Sequence, residues 1–302
     1  MADGINYNKK SKFMIPKIIH YCWFGRGPMP KVVTWCIESW KRKCPDYELK
    51  LWNEDNFDVT SVPFVKQAYD AKKWAFVADY VRMYALYHDG GICLDSDEYV
   101  LKNFDDLLDH RVVSCHEYYP GMFAEHRKDI DPKTNLGKGD EPWINNAGLS
   151  LCANPLMAEP HHPFIKECLD YYNTHDFLYQ PGNGQDREQV IGCLITKIGI
   201  KYGYKYNINV HDMKEGIKVL GPEAFILNSL FFDNKRSYVV HMALNSWKER
   251  INQNSWSKKL LRKSPSCSFF LLRLTCLVRN LKHFFLSKEE YNRRMGYFPE
   301  FK

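Results

Sequence analysis

The sequence predicts an α/β protein built on one open sheet flanked by helices. Three observations carry this. An apolar run at Ile15–Gly25, a helical pattern at Lys31–Lys43 and an alternating run at Tyr47–Asn53 follow the order with which an open nucleotide-binding sheet begins. A second, longer helical pattern, Lys73–His88, stops at Asp89-Gly90-Gly91 and gives way to a short strand and a carboxylate cluster. The 302 residues, 45% hydrophobic and 26% charged, suffice to bury a core without disulfides or structural metals.

Residues 1–13 are polar and expected to form a loose tail. IPKIIHYCWFG (Ile15–Gly25) reads as a buried strand ending at a glycine turn. A proline-initiated helix over Lys31–Lys43 places Val32, Val33, Cys36, Ile37 and Trp40 at helical spacing, and Cys44-Pro45-Asp46 ends it. After the Lys73–His88 helix come strands at Ile92–Leu94, Tyr99–Leu101 and Arg111–His116. Residues 118–143, rich in Pro, Gly and charge, are the longest candidate active-site or acceptor loop. A strand at Asn146–Cys152, helices at Pro163–Thr174 and Arg187–Ile198, and strands at Ile208–Val210, Ile217–Leu220 and Tyr238–Met242 complete a body over residues 14–254.

The formal charge of +6 is unevenly placed. Residues 255–302 carry eleven Lys/Arg against Glu289, Glu290 and Glu300, which leaves residues 1–254 slightly acidic. No zinc-finger spacing or ribonucleoprotein signature accompanies the basic residues, so a nucleic-acid partner is disfavoured. At 15% aromatic residues the chain is not disordered. Arg273 and Arg279 interrupt the best apolar stretch, which falls short of the ~20 residues that span a bilayer. The start lacks the apolar core of a signal peptide, so a cytoplasmic location is expected. With no CxxC pair, the ten cysteines are expected to be reduced thiols.

Asp95-Ser96-Asp97 follows a glycine pair and a strand. Two carboxylates two residues apart on an extended segment project to one side, where oxygen ligands suit Mn²⁺ or Mg²⁺ shared with a diphosphate. The pattern alone says little: Asp129-Ile130-Asp131 repeats it, and about one such pair is expected by composition in a chain of this length. Context distinguishes the first pair, because Asp79 and Arg82 lie one turn apart on the preceding helix and can face the same cleft.

The segments WAFVADYVR (74–82) and HDGGICLDSD (88–97), with the IPKIIH-x-x-WFG start, resemble the sugar-binding DxD region of glycosyltransferase family 32. That family includes bacterial capsular and lipooligosaccharide transferases and yeast mannosyltransferases, and is related to the glucosyltransferase domains of large clostridial toxins. The resemblance covers about residues 15–247. It implies a GT-A type nucleotide-sugar fold for residues 14–254 and retaining transfer. Asp79 and Arg82 would hold donor-sugar hydroxyls, Asp95 would reach ribose, sugar or metal, Asp97 would bind the metal, and Trp23 would stack on the base. Cys93 stands where relatives often have an aromatic residue, so one stacking contact is missing.

His241-Met242-Ala243-Leu244-Asn245-Ser246-Trp247 resembles the family's C-terminal His…Ser-Trp element. By that resemblance His241 or Asn245 would add a metal ligand, Ser246 and Trp247 would sit at the donor, with the Trp247 indole N–H directed at the leaving phosphate, and Asn145 and Asn146 would border the anomeric carbon. His162, at a family-like helix start, reads as structural. No dedicated general base is evident, and a front-face route needs none, since the departing phosphate oxygen can take the acceptor's proton.

In the tail, Lys258, Lys259, Arg262, Lys263, Phe269, Phe270, Arg273 and Arg279 belong to a basic, apolar helical pattern suited to an anionic lipid surface. The alternative is a helical pair packed on the body or on a partner. The functional expectation is a metal-dependent retaining hexosyltransferase, using a UDP-hexose such as UDP-galactose and a lipid-linked acceptor in bacterial surface polysaccharide synthesis, peripheral to the inner face of the cytoplasmic membrane. A protein-glycosylating effector transferase and a non-catalytic, membrane-bound sugar-binding module are the alternatives.

Overall fold

The computed structural model describes residues 15–139, 142–144, 147–178, 189–226, 235–242, 256–284 and 287. The chain runs β1 (Ile18–Cys22), α1 (Lys31–Lys43), β2 (Glu48–Trp52), α2 (Pro63–Asp70), α3 (Trp74–His88), β3 (Gly91–Cys93), β4 (Glu98–Val100), β5 (Val112–Tyr118), α4 (Pro120–His126), β6 (Ile130–Asp131), β7 (Leu136–Gly137), β8 (Leu149–Leu151) and β9 (Leu156–Ala158). It continues through α5 (Pro163–Thr174), α6 (Ile191–Lys201), β10 (His211–Met213), β11 (Ile217–Leu220), β12 (Phe225–Ile226), β13 (Val239–His241), α7 (Trp256–Lys263) and α8 (Pro265–Phe284).

The central sheet has the order β2-β1-β3-β9-β5-β11-β10, with β8 paired to β5. Strands β1, β2, β3, β5 and β11 point one way, and β9 and β10 the other. The sheet is thus mostly parallel, with helices on both faces. Its faces follow from alternation: Leu156 and Ala158 of β9 join the core beneath α2, α3, α5 and α6, while Met157 between them joins the core beneath α1. A smaller sheet, β12-β13-β4, contributes Val100, Phe225, Val239 and Val240 to the core beneath α1.

The helix stop at Gly90-Gly91 also sets the sheet. Gly91 has φ +104°, and a Cβ there would lie 2.6 Å from Ile18 O on the adjoining β1. His20 ties the same corner together: Trp52 Nε1 donates to His20 Nδ1 at 3.1 Å, and His20 Nε2 donates to Gly90 O at 2.8 Å. These bonds specify the neutral Nε2–H tautomer, and burial holds the pKa below the ordinary histidine value.

The structure departs from the sequence reading at several elements. The strand expected at Ile208–Val210 begins at His211, because Asn207 Oδ1 accepts the Asn209 N–H at 3.2 Å and bends that stretch into a turn. Helix α2 and strands β9 and β12 were not anticipated; β9 is three residues long and is stabilised by pairing with both β3 and β5 rather than by local pattern. Residues 118–143 are not one loop but hold α4 and the β6–β7 hairpin. All ten cysteines are free thiols.

The tail forms a helical pair docked on the body. Leu261, Phe269 and Cys276 are buried in the α1-side core, with the Phe269 ring 4.8 Å from Tyr99 and 5.7 Å from Trp35. Phe270, Leu271, Leu274, Leu277 and Val278 remain exposed, Phe270 at 66% and Leu277 at 57%. At 100° per residue the exposed stripe centres on the side of α8 opposite Phe269 and Cys276. The side chains of Lys258 and Arg279 lie outside the described residues. No helix among the described residues is long and apolar enough to cross a membrane.

Candidate active site

Helix α3 presents Asp79 and Arg82 at its sheet-facing side. The buried Arg82 bridges two carboxylates: Nη1 donates to Asp79 Oδ1 at 3.1 Å, and Nη2 pairs with Asp95 Oδ1. Asn154 Nδ2 donates to the other Asp95 oxygen at 2.6 Å. Burial pushes the Asp79 carboxyl up, to about 7, against the pull of Arg82 and with Asp95 adding to the rise. The guanidinium is itself penalised by burial, but Asp95 and Asp79 outweigh this and hold it charged. Cys93 donates its thiol to Arg82 O at 3.6 Å, so the residue standing in place of an aromatic packs against α3.

Asp95-Ser96-Asp97 is a turn rather than the extended segment expected. The Glu98 N–H donates to Asp95 O at 3.0 Å, and Glu98 Oε2 accepts the Asp95 N–H at 2.9 Å. Helix α1 fixes this turn from behind, with Trp40 Nε1 donating to Glu98 O at 2.6 Å and Ser39 Oγ accepting the Val100 N–H at 2.9 Å. Glu98 is fully buried, and its Oε1 meets no hydrogen-bond partner among the described residues. Burial, reinforced by Asp95, raises its pKa well above the carboxylate range.

Pairing of β13 with β4 sets His241 opposite Glu98. His241 Nε2 thereby stands 3.3 Å from Asp97 Oδ1 and 3.7 Å from Asp95 Oδ2. Burial works against the imidazolium, but Asp97 and Asp95 prevail and raise the His241 pKa well above the ordinary value. One ligand atom from each of Asp95, Asp97 and His241 lies within 4.8 Å of the others. Two carboxylate oxygens and an imidazole nitrogen around one point fit a divalent cation.

Two cavities meet here, both lined by Arg82, Asp95 and His241. The first, about 440 Å³, adds Trp23, Trp52, Trp74 and Asp97. Trp23, just past β1, is held by donation of Nε1 to Gly27 O at 2.7 Å. The second, about 530 Å³, adds Asp79, Glu117, Tyr119, Trp143 and Asn154. The structure therefore brings together Trp23, Asp79, Arg82, Asp95, Asp97 and His241. Asn145, Asn146, Asn245, Ser246 and Trp247 lie outside the described residues. The second DxD pair is elsewhere: Asp131 Oδ1 caps the Lys133 N–H at 2.8 Å in the β6–β7 hairpin. His162 is structural, its Nδ1 capping α5 through the Phe164 N–H and its Nε2 donating to Glu215 O. Asn154, Glu98 and Glu117 carried no signal in the sequence: Glu98 and Glu117 are placed by the pairing of β4 with β13 and of β5 with β8, and Asn154 by the short connection from β8 to β9.

Residues 30–114 match the family described as "Glycosyltransferase sugar-binding region containing DXD motif", a span that holds Asp79, Arg82, Asp95 and Asp97. Inositol phosphoceramide mannosyltransferase 2 of Schizosaccharomyces pombe is 28% identical over 51% of this chain and 37% of its own length. Glucan organizing enzyme 1 of Cryptococcus neoformans var. grubii is 33% identical over 39% of this chain and 27% of its own. This chain thus spans about a third of the length of the curated relatives it matches. Among solved structures, the PaToxG glycosyltransferase aligns over 62% of this chain and 69% of its own, with a TM-score of 0.43 and 16% identity.

Proposed function

We propose that this chain, a glycosyltransferase of the family 32-like DXD type, is a metal-dependent enzyme that moves a hexose from a nucleotide sugar to a lipid-linked glycan with retention of configuration. The observation that carries the reading is the convergence of Asp95, Asp97 and His241 with the Asp79–Arg82 pair where the two cavities meet. The first cavity, with Trp23 at its wall, takes the nucleotide, and Asp79 and Arg82 take hydroxyls of the transferred sugar. A divalent cation held by Asp95, Asp97 and His241, with Asn245 as a further candidate ligand, supplies positive charge to the leaving diphosphate.

In the transfer, the bond from the anomeric carbon to the phosphate oxygen breaks, a bond from that carbon to the acceptor oxygen forms, and the acceptor proton passes to the departing phosphate. Arg82, fixed between two carboxylates, stays oriented throughout without reorganisation. Asn145 and Asn146 are assigned to the anomeric carbon, Ser246 to the donor, and Trp247 to the leaving phosphate. The donor is assigned as a UDP-hexose such as UDP-galactose, in bacterial surface polysaccharide synthesis. Mannose transfer in the names of related fungal enzymes makes GDP-mannose the necessary comparison.

The exposed apolar stripe of α8, near Lys259, Arg262, Lys263 and Arg273, supports peripheral association with the inner face of the cytoplasmic membrane. The deciding experiment is turnover of UDP- and GDP-sugars with and without Mn²⁺. Metal-dependent hydrolysis or transfer that disappears in Asp97→Asn supports the reading; activity intact in that variant refutes it.

A further inference from the structure

We propose that Asn154 is a positioning residue of the metal centre, whose amide fixes the plane of the Asp95 carboxylate so that Oδ2 stays aimed at a cation shared with Asp97 and His241. This rests on the metal-dependent reading of the site. Oδ2 is the Asp95 oxygen that stands 3.7 Å from His241 Nε2, and it accepts from Asn154 Nδ2 at 2.6 Å. A carboxylate oxygen has two lone pairs, so the amide and a cation can share it.

Arg82 does not fix that plane by itself. Its Nη1 is engaged by Asp79, and it grips Asp95 through Nη2 on Oδ1. A carboxylate anchored at one oxygen still turns about its Cβ–Cγ bond, a torsion with broad minima, and turning carries the other oxygen away from His241. A second anchor on Oδ2 stops the rotation. The anchor has to be a neutral donor, because an ammonium there would repel the cation and a carboxylate would repel Asp95.

Sheet register delivers this donor. Strand β9 pairs antiparallel with β3, with Gly91 opposite Ala158, Ile92 opposite Met157 and Cys93 opposite Leu156; carried two residues further, the register sets Asn154 opposite Asp95. The connection from β8 is fastened to β5 just ahead of it. Ser114 Oγ donates to Cys152 O at 2.7 Å, the Cys152 N–H donates to Cys115 O at 2.8 Å, and Cys152 Sγ donates to Asn154 O at 2.9 Å. The amide is thus held by the sheet, independently of anything bound in either cavity.

The test titrates Mn²⁺ alone into the full chain by calorimetry, with melting in EDTA to establish folding. Asn154→Leu removes the donor at similar volume, and Asn154→Ala replaces it if the leucine variant does not fold. The variant should melt within a few degrees of wild type and bind Mn²⁺ at least tenfold more weakly, as residues that orient a metal ligand do when lost. In an Asp95→Ala background, or Asp95→Ser if that does not fold, the same substitution should change Mn²⁺ affinity less than twofold, because Asn154 acts only through Asp95. Wild-type binding with equal affinity in the Asn154 variant, or the same loss with and without the Asp95 carboxylate, overturns the assignment and leaves the metal reading standing. Absence of Mn²⁺ binding by wild type overturns both.

Discussion

His241 Nε2 stands 3.3 Å from Asp97 Oδ1, and the antiparallel pairing of β13 with β4 is what puts it there. The third ligand of the candidate metal centre is thus delivered by a strand far along the chain from the DxD turn. His241→Ala is expected to weaken Mn²⁺ binding at least tenfold, in line with the penalties for disturbing metal-site partners. Titration calorimetry of Mn²⁺ into wild type and variant checks this; equal affinities would remove His241 from the centre.

Arg82 neutralises two carboxylates from a buried position. Arg82→Ala removes the guanidinium between Asp79 and Asp95 and leaves Asp79 without its ion-pair partner, and breaking a buried pair in this way costs about 3–5 kcal/mol. Urea unfolding should show a loss of that size. Arg82→Lys keeps the charge but not the two-pronged geometry, so it should retain more stability than Arg82→Ala while still losing donor turnover.

Glu98 provides a test with a defined sign. Its folded pKa lies well above the unfolded value, so between those two pH values the carboxyl is neutral in the fold and ionised in the unfolded chain. Stability from this group is complete below the unfolded pKa and falls by about 1.4 kcal/mol per pH unit as pH rises towards the folded one. Glutamine never ionises. Glu98→Gln should therefore be more stable than wild type at pH 7 and converge with it near pH 4, measured by urea unfolding in EDTA. Parallel pH profiles would show that Glu98 stays charged.

The two faces of α8 separate stability from lipid binding. Replacing Phe270, Leu274 and Leu277 by Ser should reduce flotation with anionic liposomes and leave the melting temperature within a few degrees. Phe269→Ala removes packing against Trp35 and Tyr99 and should cost about 3 kcal/mol, the lower end for a buried aromatic. Truncation at residue 255 mixes the two effects, because it removes buried Leu261, Phe269 and Cys276 together with the outer stripe.

What the sequence revealed was what local spacing encodes. The bounds of α1 and α5 follow from their starting prolines and helical periodicity, and the Asp79–Arg82 contact follows from one helical turn. Asp95 and Asp97 were legible as a pair, although their turn geometry depends on Glu98, whose role no spacing announces. His241 entered through resemblance alone; its proximity needs β4 and β13 side by side. Glu117 reaches its cavity from β5, and Asn154 from the connection between β8 and β9, whose places are fixed by sheet order. In the tail, composition registered apolar and basic character but not that the apolar residues divide into two opposed stripes, one already covered.

The corner formed by Gly91 and His20 should leave a distinctive imprint in a saturation library selected for activity. Position 91 should accept only glycine, since any side chain would collide with the carbonyl of Ile18. Position 20 should reject lysine and arginine, which cannot accept the Trp52 indole proton. Such a library would single out residues set back from the substrate as sharply as the acidic ones beside it, because the spacing of β1 and β3 determines where the strand preceding Asp95 ends.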